Sequence, residues 1–217
     1  MGNDAKPDYH LNRRRNCCCL TSNDWVITKS GERKYLQYLK AGEEVQEVKP
    51  DGTLGYTKVF CFSHKDPNQS SPNYLQIITD TRSITITSNH HLVFTDDESN
   101  SSRTHKMAKE FKIGDRLVCH DGNHTSTEQI ASIKEVEGKG AFAPITKSGE
   151  LLVNGIQVSC YSTADPNLVH AALTLFRLAY DVTPTSMFDT LLWPNENGNP
   201  YIFGATVKLY NLLTSAE

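Results

Sequence analysis

"ITITSNHHLVF", residues 84–94, sets the fold class and names the first candidate residues. Ile84 and Ile86 alternate with Thr85 and Thr87, the period of a half-buried strand. Thr87 ends that strand, and His90 follows three residues on, a spacing at which a turn brings a hydroxyl and an imidazole to one point. Imidazole is the side chain best able to deliver a proton near neutral pH. A lone histidine is more often a plain core or surface residue, so the pair needs support from elsewhere in the chain. Adjacent His91 adds no metal partner, because neighbours on a strand face opposite ways.

The β signature continues on both sides. "TKVFCFSH" (57–64) sets Val59, Cys61 and Ser63 against Lys58, Phe60 and Phe62, and "LLVNGIQVSCY" (151–161) is rich in β-branched residues. Turn formers punctuate the runs at "PDGTLG" (50–55), "DPNQSSPN" (66–73) and "HDGN" (120–123). These patterns predict a mainly β domain of short strands. "YLKAGEEVQEV" around Gly42 and "EFKIGDRLVCH" around Gly114 share an apolar lead, a lysine, a glycine, an acid and a β-run. That echo predicts a duplicated β unit with approximate two-fold symmetry. After Ser162 the pattern changes: Asp165-Pro166 is a helix start signal, Leu168, Ala171, Ala172, Leu175, Leu178 and Ala179 recur at helical spacing, and "YIFGATVKLYNLLTSA" (201–216) is apolar enough for a second helix. The expected division is a flank over 1–18, a β domain over 19–162 and a small helical region over 163–217.

At 217 residues, 38% hydrophobic, the chain can bury one sizeable core. Its formal net charge of −3 offers no basic field, which argues against a nucleic-acid partner. No apolar run approaches the roughly 20 residues needed to span a bilayer, and no charged-then-apolar leader opens the residues present. Sequons begin at Asn68, Asn100 and Asn123, which would suit a secreted protein but are no more than chance supplies.

The six cysteines include three in a row, Cys17, Cys18 and Cys19, directly after Arg13 to Arg15 and Asn16. No disulfide framework or zinc spacing resembles this, and no metal or cofactor is implied. Beside a basic run the cluster also reads as a palmitoylated tail. Cys61 and Cys119 read as core thiols, as Cys160 would if taken alone.

Taken in order, "CCL", "KSGERKYLQYLKAGEEV" (29–45), "TITSNHHLVF" (85–94), "FKIGDRLV" (111–118), "GAFAPITKSGELLVNGIQVSCYS" (140–162) and "VHAALTLFRLAY" (169–180) resemble the autoprocessing C-terminal region of Hedgehog and Hedgehog-related proteins. That region is a Hint domain, the module shared with inteins. The resemblance implies a pseudo-two-fold intein-like β-fold followed by a helical sterol-recognition region. It implies that Cys19 is the nucleophile, attacking the carbonyl of Cys18 to turn the Cys18–Cys19 amide into a thioester. His90 would protonate the departing amine and Thr87 would hold the amide.

Three departures from the family stand out. Leu20 and Cys18 replace the usual Phe and Gly around the nucleophile, and "CFSHKD" puts His64 where the family has the Asp that activates the acceptor alcohol. A neutral imidazole can still accept a proton near pH 7. Asp66, two residues on along an extended strand, would share its face and is the substitute base. Cys160 matches a family cysteine that can pair with the nucleophile under oxidising conditions.

The expected activity is therefore that of a single-turnover, cysteine-dependent autoprotease and sterol transferase. Cholesterol or another sterol is the second substrate, and the upstream segment of the same precursor is the partner. Membrane contact would come through the C-terminal helices. Entry into the secretory pathway, then secretion or display at the cell surface, follows from the family. The alternatives are a thioester-forming autoprotease with water as acceptor, and an inactive Hint fold kept as a binding module. Splicing is not expected, since the chain ends "NLLTSAE" without the His-Asn that inteins need.

Overall fold

The computed structural model describes residues 19–96 and 103–161, together with residues 170, 171 and 174, which are helical. The expectations for residues 1–18, including Cys17 and Cys18, and for most of 163–217 lie outside the described residues.

Among the described residues the chain forms eleven strands: β1 (Trp25–Ile27), β2 (Arg33–Tyr35), β3 (Glu44–Val48), β4 (Leu54–Thr79), β5 (Ser83–Thr87), β6 (His91–Thr95), β7 (Arg103–Met107), β8 (Arg116–His120), β9 (Thr125–Thr146), β10 (Glu150–Val153) and β11 (Ile156–Ser159). β1 and β2 make a ribbon. The others form one nine-stranded sheet in the order β10-β11-β6-β8-β9-β4-β3, with β5 added to β4 and β7 to β6.

The spine of the molecule is the antiparallel pair β4 and β9, of 26 and 22 residues, matched from Val59 opposite Thr146 to Thr79 opposite Ile130. This corrects the expectation of short strands and of a turn at 66–73. The breakers there are absorbed as irregularities of one long strand: Asp66 faces Ala141 and Ser70 faces Lys139, so four steps of β4 span two of β9. Bulges of this kind coil a strand instead of ending it. The alternation expected over 57–64 is also lost, because Val59, Phe60, Cys61 and Phe62 are all buried. A register shift falls between Val59 and Cys61, which breaks the period of two.

The echo around the two glycines is a structural duplication. In each half a strand leads into a short 3₁₀ helix, Leu36–Tyr38 or Ala108–Glu110, and then into a turn at Gly42 or Gly114. The turns need glycine, since φ is +91° at Gly42 and +95° at Gly114. The Gly42 N–H donates to the Val59 carbonyl at 2.7 Å, and the Gly114 N–H donates to that of Ile130 at 2.8 Å. In the first half Glu43 accepts from the Lys40 N–H and pairs with Lys34 Nζ. Asp115 accepts likewise from Lys112 and pairs with Lys106. Each half then sends its long strand across to the other, so the main core, with Leu20, Ile77, Ile86, Leu92, Phe142 and Val158, fills the space between the halves.

Candidate functional site

Cys19 and Leu20 run between β9 and β5 and are held there by isolated β-bridges at Leu20. Leu20 bridges Phe142 on β9 and Ile86 on β5, exchanging backbone hydrogen bonds with Phe142 at 2.9 and 3.0 Å. Next to it, Cys19 and Thr87 bond reciprocally: the Cys19 N–H donates to Thr87 Oγ1 at 2.8 Å, and the Thr87 N–H donates to the Cys19 carbonyl at 3.0 Å. Cys19 is fully buried and packs on Ala141 and Ala143.

Thr87 ends β5, and the turn that follows closes with the His90 N–H donating to the Thr87 carbonyl at 3.0 Å. Ala108 and Lys109 hold that turn from outside through the carbonyls of His90 and Ser88. His90 is buried, and its Nε2 is 2.7 Å from the Ser159 carbonyl oxygen. A carbonyl only accepts, so the proton of the neutral ring is on Nε2 and exchange takes place at Nδ1. Ser159 is a residue that the sequence does not point to, because it acts through its backbone. Its carbonyl is presented by the β10–β11 hairpin, in which Ser159 faces Glu150.

Asp24 anchors the segment at Cys19 and Leu20 from below. Its Oδ2 accepts from the Thr21 N–H and hydroxyl at 2.8 and 2.6 Å, and its Oδ1 from Asn154 Nδ2 at 2.7 Å. Burial pushes its carboxyl above the usual carboxylate range, against the lowering effect of these bonds. Gly140 lets β9 approach closely: a Cβ there would sit 2.5 Å from Ser22 Oγ and 2.6 Å from the Phe142 ring, at φ +78°.

His64 and Asp66 lie on β4 opposite Ala143 and Ala141. Directly opposed residues of an antiparallel pair share a face. Both therefore belong to the face on which those alanines meet Cys19. His64 Nε2 is 2.8 Å from Gln69 Oε1, and Asp66 Oδ1 accepts from the Asn68 N–H at 2.9 Å. The Cys160 sulfur rests on Thr146, 3.3 Å from its Oγ1 and 3.4 Å from its N–H, and burial pushes that thiol up to about 12. Cys61 and Cys119 are buried too, and burial raises both thiols. Among the described residues no group of three or more His, Cys, Asp or Glu side chains is placed to hold a metal ion.

A bulged two-stranded spine, a two-fold repeat and a bridged segment at Cys19 and Leu20 gripped by a Thr-x-x-His turn form one recognisable arrangement, and a family model of the Hint module matches residues 11–201. The chain belongs to the Hint module family. Hedgehog protein of Drosophila melanogaster is 26% identical to this Hint module over 163 residues, covering 74% of this chain and 34% of that protein. Warthog protein 6 of Caenorhabditis elegans is 27% identical over 172 residues, covering 78% of this chain and 29% of that protein. The chain thus spans about a third of the length of the curated relatives it matches. A DnaB intein from Synechocystis sp. PCC 6803 superposes with a TM-score of 0.55 over 68% of this chain and 99% of that one, at 17% identity, a likeness of fold. This chain is a Hint module with an intein-like fold, similar in sequence to part of the Hedgehog proteins.

Proposed function

We propose that this Hint module cleaves the Cys18–Cys19 bond in a single turnover through an internal thioester and passes the upstream acyl group to a sterol, cholesterol by resemblance to Hedgehog. The Cys19 thiol gives its proton to His90 Nδ1 as the sulfur bonds to the Cys18 carbonyl carbon, the carbon–nitrogen bond breaks, and Nδ1 passes that proton to the leaving amine. Imidazole is the side chain best suited to carry a proton between two such atoms. The sterol oxygen then bonds to the same carbon, the carbon–sulfur bond breaks, and the hydroxyl proton passes through His64 to the sulfur.

The observation that carries this reading is the buried bond from the Cys19 amide to Thr87 Oγ1, one residue-turn away from His90. It fixes the nitrogen that must leave. A buried cysteine whose own amide is gripped by a hydroxyl at the head of a Thr-x-x-His turn has little to do as a plain core residue. His64 on the Cys19 face favours a base for the acceptor, and it also supports a second reading in which water is the acceptor. Asp66 is the substitute base in either case. Pairing of Cys160 with Cys19 under oxidising conditions, contact of residues 163–217 with sterol or membrane, and processing in the secretory pathway before secretion or surface display belong to the same proposal.

The test is the intact mass of the fragment released from an upstream fusion under reducing conditions, with and without cholesterol, beside Cys19→Ala and His90→Ala. A fragment heavier by one cholesterol less water supports sterol transfer, with no release from Cys19→Ala and release slowed about 10²- to 10⁴-fold in His90→Ala. Free acid in both conditions supports water as acceptor. An intact fusion in every arm refutes self-processing.

A further inference from the structure

We propose that Gln69 is a positioning residue for acyl transfer, holding the His64 imidazole with its proton on Nε2 so that Nδ1 is the base; this rests on the reading of His64 as that base. β4 shifts register between Phe62 and His64, and beyond the shift His64, Lys65 and Asp66 face Ala143, Phe142 and Ala141 in turn. Alternate residues take alternate faces. His64 and Asp66 therefore share the face of the alanines that pack on Cys19, while Lys65 lies with Phe142 and sends its Nζ to the Leu39 carbonyl at 2.7 Å.

Past Asp66 the strand doubles its steps. Pro67 has no N–H to give to a ladder, and the Asn68 N–H turns back onto Asp66 Oδ1. The extra chain brings Gln69 round to His64, with Oε1 2.8 Å from Nε2. An amide oxygen only accepts, so this bond selects one tautomer and fixes the ring plane without adding charge. A carboxylate in the same place would bind the imidazolium and raise its proton affinity, a shift of one to three units being usual for an opposite charge at this range. Among the described residues, the charged and titratable groups that the strand pairing places near His64 are Asp66 and the Cys19 thiol on its own face, with Lys65 on the other face and Lys139 opposite Ser70.

In the step concerned, the acceptor oxygen bonds to the thioester carbon, the carbon–sulfur bond breaks, and the acceptor proton goes to Nδ1 and then to the Cys19 sulfur. No oxidant or cofactor enters.

The experiment compares wild type, Gln69→Glu, Gln69→Leu and His64→Ala in the full chain fused to an upstream protein. Fragment release without added thiol is followed from pH 5.5 to 8.5 with cholesterol present, sterol ester and free acid being counted by mass. Dithiothreitol-induced cleavage, which bypasses His64, is measured in the same samples. The expected result is that Gln69→Glu moves the acid midpoint of release upward by about one pH unit or more. Gln69→Leu slows release about tenfold or more at pH 7, and thiol-induced cleavage stays within twofold of wild type in both. Wild-type release profiles in both Gln69 variants, with release lost in His64→Ala, would overturn the role of Gln69 and leave the base reading standing. Undiminished release from His64→Ala would overturn both. Loss of thiol-induced cleavage in Gln69→Leu would make Gln69 a structural residue, and that too would overturn the proposal.

Discussion

Thr87→Val isolates the contact on which the site is built. The Cys19 amide N–H lies 2.8 Å from Thr87 Oγ1, and Cys19 is fully buried. Valine keeps the shape of threonine but accepts nothing, so the N–H loses its partner where water does not replace it. A buried polar group orphaned in this way costs about 1–3 kcal/mol. In a domain of this size each kcal/mol lowers Tm by about 2–4 °C, which sets the expected fall at about 2–12 °C. The return bond from the Thr87 N–H to the Cys19 carbonyl is backbone only and survives the substitution. If the lost bond holds the nitrogen through the transition state, the same energy slows thioester formation about 5- to 150-fold, at 1.36 kcal/mol for each tenfold. Thr87→Ser restores the acceptor and should run within a few-fold of wild type. The assay is the rate of dithiothreitol-induced release of an upstream fusion, followed by intact mass, with thermal melts in parallel. Wild-type rate and Tm in Thr87→Val would refute the reasoning, and so would a Thr87→Ser variant as impaired as Thr87→Val, since the restored acceptor would then restore nothing.

Two further substitutions test the scaffold around that contact. Gly140→Ala places a Cβ 2.5 Å from Ser22 Oγ at a φ of +78°, and is expected to cost about 1–3 kcal/mol by thermal melting and to slow cleavage by loosening β9 against the segment at Cys19 and Leu20; an unchanged Tm would contradict it. Burial pushes the Glu150 carboxyl up, but hydrogen bonds from His105 and Gln157 outweigh it and leave the group below its ordinary value. Its stabilising contribution is therefore present above the ordinary carboxylate pKa of about 4.3 and is lost as pH falls through the lower folded value. Glu150→Gln should flatten the fall of Tm below about pH 5, and an unaltered acid limb in melts from pH 6 to 3 would contradict the pairing.

The features readable in the sequence are those with a local stereochemical cause. Gly42 and Gly114 mark the duplication because each turn needs a positive φ. The Thr-x-x-His spacing is legible because a turn closing from His90 back to Thr87 takes three steps. Lys34 with Glu43 and Lys106 with Asp115, both nine residues apart, could have been found by extending the glycine echo backward. The length of β4 was hidden, since Pro67, Asn68 and Pro72 read as breakers and only pairing with β9 reveals that the strand continues through them. Ser159 and the alanines at 141 and 143 leave no trace in residue type, as one contributes a carbonyl and the others contribute the absence of bulk. Gln69 meets His64 through a bulge, and no period in the sequence predicts that contact.

The most direct test of the central claim, acyl transfer from the Cys19 nitrogen to the Cys19 sulfur, is fragment sequencing by tandem mass spectrometry of the product released by a small thiol from an upstream fusion. The account predicts an upstream fragment ending at Cys18 as the thiol's thioester, convertible by hydroxylamine to the hydroxamate, and its loss in Cys19→Ala. A fragment ending at Asn16 or Cys17, or one released equally from Cys19→Ala, would contradict it.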